Sequence, residues 1–204
     1  ISADINTRTV AAGADEKLPR VNVYLEDKEA ADFFAALMNR QFIKKFTNPL
    51  PEITLGCTNY LQLIDKGVTE FSEKSIVCLD SDAAQQVGRK NPRTVVLLPG
   101  KLPPDQLIFE YLFNLSAGHD FWRNDLGYAR PNFTQSAAEV IREFAINGNQ
   151  ADVKTSIAAY QGGSKPREIF KRFYKDAEFQ KLVALASKPY NPWKHWIENN
   201  QDAC

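Results

Sequence analysis

Two short apolar runs end in acids: Val21-Asn22-Val23-Tyr24-Leu25 leads into Glu26-Asp27, and Ser75-Ile76-Val77-Cys78-Leu79 leads into Asp80-Ser81-Asp82. Runs rich in β-branched and apolar side chains, bounded by polar clusters, read as strands buried on both faces. Burial on both faces requires helices above and below a parallel sheet, and ligands gather outside the carboxyl ends of such strands. Carboxylates collected there raise one another's pKa by mutual repulsion unless a cation lies between them. A hard divalent ion removes that repulsion and prefers oxygen ligands.

The elements around these runs alternate. Val21 to Glu26 is the first strand, and Lys28 to Phe46 carries Ala30, Phe33, Phe34, Leu37, Met38 and Phe42 at helical spacing. Asn48-Pro49-Leu50-Pro51 should stop that helix, and Glu52 to Gly56 reads as a second, short strand. A helix follows through Tyr60, Leu61, Leu63 and Ile64, closed by Lys66-Gly67. Ser75 to Asp80 is the third strand and Thr94 to Leu98 the fourth; Pro103 and Pro104 then open a helix through Leu112. The expected fold is α/β, a small parallel four-stranded Rossmann-like sheet flanked by helices. Past Gly118 the strand signals fade. His119 to Phe133 reads as an aromatic-rich connection, and helices are expected over Gln135–Ile146, Ala151–Tyr160, Pro166–Tyr174 and Ala177–Ala186, a helical C-terminal tail.

Composition narrows the function. The 204 residues carry 25 basic and 25 acidic side chains, so no global positive field advertises nucleic acid, and a surface for it would be local. Cys57, Cys78 and Cys204 are odd in number and lack paired-ligand spacing, which argues for reduced thiols in a cytoplasm and against zinc. No apolar run approaches the length of a membrane span and no leader precedes the first strand. Neither Pro99-Gly100-Lys101 nor Gly162-Gly163-Ser164-Lys165 has the spacing of a phosphate-binding loop. His119 and His195 sit among aromatics and read as packing residues.

A strand ending in Glu26, a helix, a strand near Gly56 and a strand ending in Asp80-Ser81-Asp82 together resemble a Toprim domain, the metal-dependent fold of topoisomerases, primases and certain nucleases. Tyr24-Leu25-Glu26-Asp27-Lys28 and Leu97-Leu98-Pro99-Gly100 look more like the Toprim half of OLD-type (overcoming lysogenization defect) ATPase-nucleases, found in bacterial anti-phage systems including some encoded with retrons. On this resemblance, residues 20–118 are the Toprim core and 119–204 a helical extension. Residues 1–19 link to an upstream ATPase, as the start at Ile1 suggests a piece of something longer.

The resemblance implies a Mg2+- or Mn2+-dependent nuclease cutting nucleic acid, with DNA the expected substrate, no membrane, and an ATPase domain or subunit and a homo-oligomer as partners. Glu26 would be ligand or general base, and Asp80 and Asp82 the paired metal ligands. Related nucleases often place a glycine after the glutamate and an acid four positions on; here Asp27 follows directly and Glu29 lies three positions on, so either serves a second ion or neither does. Lys165 and Lys171 are candidates for the basic residue that stabilises transition-state charge. Glu29 also reads as a solvated first-turn helix acid, and the basic stretch Lys165, Arg167, Lys171, Arg172 and Lys175 reads equally as a track for phosphates or as an exposed helix face.

Two other classes fit the same acids. A phosphoacceptor receiver would use Asp80 and Lys101, but only one strand separates them where two strand-helix units are needed. A non-catalytic Toprim-like module serving interaction or dimerisation in a defence complex fits the altered spacing at Asp27 and Glu29.

Overall fold

The computed structural model describes residues 20–38, 46–88 and 92–176. They fall into two compact units, one ending at Pro99 and the next beginning at Gly100.

The first unit is α/β. Its four-stranded, all-parallel sheet has the order β2-β1-β3-β4 and is flanked by helices. β1 is Val21–Leu25, β2 Thr47–Thr54, β3 Ile76–Leu79 and β4 Val95–Leu97. All four residues of β3 are buried, as its unbroken apolar run requires of a central strand. Asn48-Pro49-Leu50-Pro51, expected as a helix stop, belongs to β2, which begins five residues earlier than the strand expected at Glu52. A proline cannot donate to a ladder, and β2 lies at the sheet edge, where that loss is tolerated. Its pairing with β1 slips: Val23 faces Pro49 but Leu25 faces Thr54, so residues 50–53 bulge away.

Helix α1, Lys28–Met38, buries Ala30, Phe33, Phe34 and Leu37 at the expected spacing. The continuation expected to Phe46 lies mostly outside the described residues, and Phe46 itself is a turn residue leading into β2. Helix α2, Cys57–Asp65, ends where Gly67 takes a positive φ of 68°, as the Lys66-Gly67 pair suggested. A π-helical turn at Glu70–Lys74 follows, unforeseen in the sequence. It brings Glu70 Oε1 within hydrogen-bond reach of Tyr24 Oη at 2.9 Å and Asn22 Nδ2 at 3.2 Å. Past Asp80 the chain makes a 3-10 turn, Ser81–Ala83, and a short helix α3, Ala84–Val87. Tyr24, Cys57, Tyr60, Val77, Leu79, Ala83 and Val87 form one buried cluster, and each large apolar side chain sealed there contributes about 1.5–3 kcal/mol.

The second unit is helical over its described residues, and the helix opened by Pro103 and Pro104 belongs to it. Helix α4, Pro104–Asn114, starts at the second of two prolines. After the 3-10 turn Asp120–Trp122 come α5, Arg130–Ser136, α6, Ala138–Glu143, α7, Val153–Ala159, and α8, Pro166–Asp176. The single helix expected over Gln135–Ile146 is thus two helices meeting at Ala137, the first beginning inside the stretch read as a connection. Phe109 centres the core: its ring lies 5.7 to 5.9 Å from those of Phe113, Phe133, Phe170 and Phe173. His119 accepts the Phe121 N–H through Nδ1, capping the 3-10 turn Asp120–Trp122. The helix expected over Ala177–Ala186 lies outside the described residues.

Candidate metal centre

Leu25 pairs with Cys78 in register, so the residues leaving the carboxyl ends of β1 and β3 are neighbours. Glu26 and Asp80 are those residues. The Asp80 N–H donates to the Glu26 carboxylate, and so does the Cys57 N–H at the amino end of α2. Amides at a helix start carry partial positive charge and favour an anion.

Two donors do not neutralise the site. Burial pushes the Glu26 carboxyl above its ordinary value, and repulsion from Asp82 and then Asp27 adds to it, while the two backbone N–H bonds pull the other way. Glu26 Oε2 is enclosed and has no hydrogen-bond partner among the described residues. Such an oxygen is costly to leave without a positive partner.

The Cys57 thiol lies in the field of the same acids. It is buried, and its pKa is pushed up to about 11, first by burial and then by the charges of Glu26, Asp82 and Asp80. One sulfur therefore senses all three carboxylates. Asp80 is buried at 6% exposure, whereas Asp82 is exposed, so the cluster opens to solvent on the Asp82 side.

Among the described residues no group of three or more His, Cys, Asp or Glu side chains is placed to hold a metal ion, so Glu26, Asp80 and Asp82 do not all three meet at one point. Zinc would need such a group. Magnesium is commonly held by one or two carboxylates and keeps several waters. The acid cluster with its unsatisfied Glu26 oxygen fits that second kind of ion.

Asp27 and Glu29 sit differently. Asp27 Oδ1 accepts the Ala30 N–H at 2.9 Å, the bond of a helix N-cap, and its charge still reaches Glu26. Glu29 is half-buried in the first turn of α1, where a carboxylate complements the helix dipole. Lys165 and Lys171 belong to the second unit. Lys165 is exposed just ahead of α8 and its carbonyl accepts from Glu168 and Ile169 N–H. Lys171 is half-buried on α8, and Arg172 beside it is engaged by Glu139 at 2.7 Å.

Sequence reading missed the role of α2. Gly56-Cys57 is more than a turn into a helix, because the Cys57 amide holds Glu26. The signal was the small Gly56 at the N-cap, an exposed position with open space around it. Apolar spacing marks Tyr60 as a helix core position, yet its hydroxyl meets the backbone at Leu25, Ile53 and Leu55.

Fold and site together define an α/β protein with an acidic cluster at the carboxyl ends of two adjacent parallel strands. No family model matches the chain, and no curated protein or solved structure matches it.

Proposed function

We propose that the first unit is the centre of a Mg2+- or Mn2+-dependent phosphodiesterase acting on nucleic acid, with DNA the favoured substrate. The observation that carries this reading is the enclosed Glu26 oxygen, set among Asp80 and Asp82 and lacking a positive partner. Glu26 with Asp80 or Asp82 would hold the cation, with Glu29 in reserve for a second and Asp27 capping α1. A bound divalent ion there supplies Lewis-acid polarisation of a phosphoryl oxygen and lowers the pKa of a bound water.

The chain's own residues do the rest. The Cys57 and Asp80 amides fix the Glu26 carboxylate, and Asp82 faces solvent where a polyanion approaches. In the wider reading this centre is the Toprim segment of an OLD-type ATPase-nuclease in anti-phage defence. An ATPase domain or subunit supplies the nucleotide chemistry, and the complex works in the cytoplasm. Among the described residues no helix is long and apolar enough to cross a membrane.

The test is cleavage of plasmid and single-stranded DNA with Mg2+ or Mn2+, and its loss in Asp80→Ala/Asp82→Ala with the fold retained. A second reading, a non-catalytic Toprim-like interaction module, draws on the finding that no three such side chains among the described residues are placed to hold a metal ion together. It is favoured if wild-type protein neither binds the cation nor cuts.

A further inference from the structure

Tyr60 is fully buried on α2, and its hydroxyl is met by three backbone groups: the Leu25 carbonyl at 3.0 Å, the Ile53 carbonyl at 3.1 Å and the Leu55 N–H at 3.3 Å. A phenol has one proton to donate and lone pairs to accept with. It therefore donates to the two carbonyls in alternation and accepts from Leu55. Burial holds its pKa above the ordinary value, so the donor stays in place.

The position of these contacts matters. Ile53 and Leu55 bracket the point where β2 returns to register with β1 after its bulge, and Leu25 is the last residue of β1 before Glu26. A slipped edge strand fixes its neighbour poorly. We propose that Tyr60 is a positioning residue for the metal centre, its hydroxyl pinning the β1 terminus to the β2 bulge so that the Glu26 carboxylate is held toward Asp80 and Asp82. The inference rests on the metal-centre reading, and its test separates the two.

Mn2+ binding to the full chain is measured by calorimetry on wild type, Tyr60→Phe and Tyr24→Phe, with circular dichroism establishing that each is folded. Tyr24 is the control. It lies in the same ring cluster, 6.3 Å from Tyr60, and loses one hydroxyl bonded to Glu70, away from the Leu25 carbonyl. Loss of a group that orients a ligand costs about 10- to 100-fold in metal affinity, so Tyr60→Phe should bind Mn2+ weaker by that factor. Tyr24→Phe should stay within about twofold of wild type.

Equal binding by Tyr60→Phe, or an equal loss in Tyr24→Phe, overturns the positioning role while leaving the metal centre intact. No Mn2+ binding by wild type overturns the metal centre and the inference with it. Should Tyr60→Phe not fold, wild type alone decides through linkage, which makes coupling reciprocal. Mg2+ must then raise hydrogen-exchange protection of the Leu55 amide more than that of Val68, whose N–H bonds Leu63 in the turn after α2. An equal rise at both overturns the role.

Discussion

Replacing Asp27 separates a helix cap from a metal ligand. Asp27 Oδ1 accepts the Ala30 N–H at 2.9 Å, and its carbonyl accepts the Ala31 N–H at 3.1 Å, so it is the N-cap of α1. Removing a capping side chain costs typically about 1 kcal/mol, and Asn caps as well as Asp. Asp27→Ala should therefore lose about 1 kcal/mol, a fall in Tm of roughly 4–8 °C for a unit of this size, while Asp27→Asn stays near wild type. Thermal unfolding by circular dichroism reads the first quantity, and Mn2+ calorimetry on the same samples reads the second. A cap that is not a ligand keeps the affinity of Asp27→Asn within about twofold of wild type. If Asp27→Asn is as destabilised as Asp27→Ala, the cap is wrong. If it stays stable but loses Mn2+ as Asp80→Asn does, Asp27 belongs to the ligand set.

Glu26 is held above the ordinary carboxylate value, so the folded chain keeps its proton more tightly than the unfolded chain. Metal-free protein should thus lose stability as pH rises from the ordinary carboxylate value through the folded one, and Glu26→Gln should remove that slope; an unchanged slope in pH-dependent melts contradicts it. The Cys57 thiol, buried with a pKa pushed up to about 11, should resist iodoacetamide at neutral pH until denaturant is added, and rapid labelling by mass spectrometry would refute its burial among the acids. Phe109→Ala empties the centre of the aromatic core and should cost about 3–5 kcal/mol in urea unfolding, with a loss under 1 kcal/mol speaking against that packing.

The sheet was legible because its signals are local. The apolar runs at Val21 and Ile76 specify buried strands on their own, and acids at their ends need only strand adjacency to meet. The second strand was less legible, because Pro49 and Pro51 argue against a strand unless it is known to lie at an edge, and edge position is a property of the whole sheet. Within the candidate site, the strand-end positions of Glu26, Asp80 and Asp82 are legible in the sequence, whereas the Cys57 amide and the Tyr60 hydroxyl act through contacts to distant backbone. Apolar periodicity marks Tyr60 as a core position and is silent on where its oxygen points. Asp27 carried a readable cap signal, overshadowed by its place in an acidic pair.

The most direct measurement is the anomalous difference map of a crystal soaked in Mn2+. A manganese peak in contact with Glu26 and with Asp80 or Asp82 is the expected result. A peak held by other residues, or none beside Glu26, would contradict a shared cation at the ends of β1 and β3.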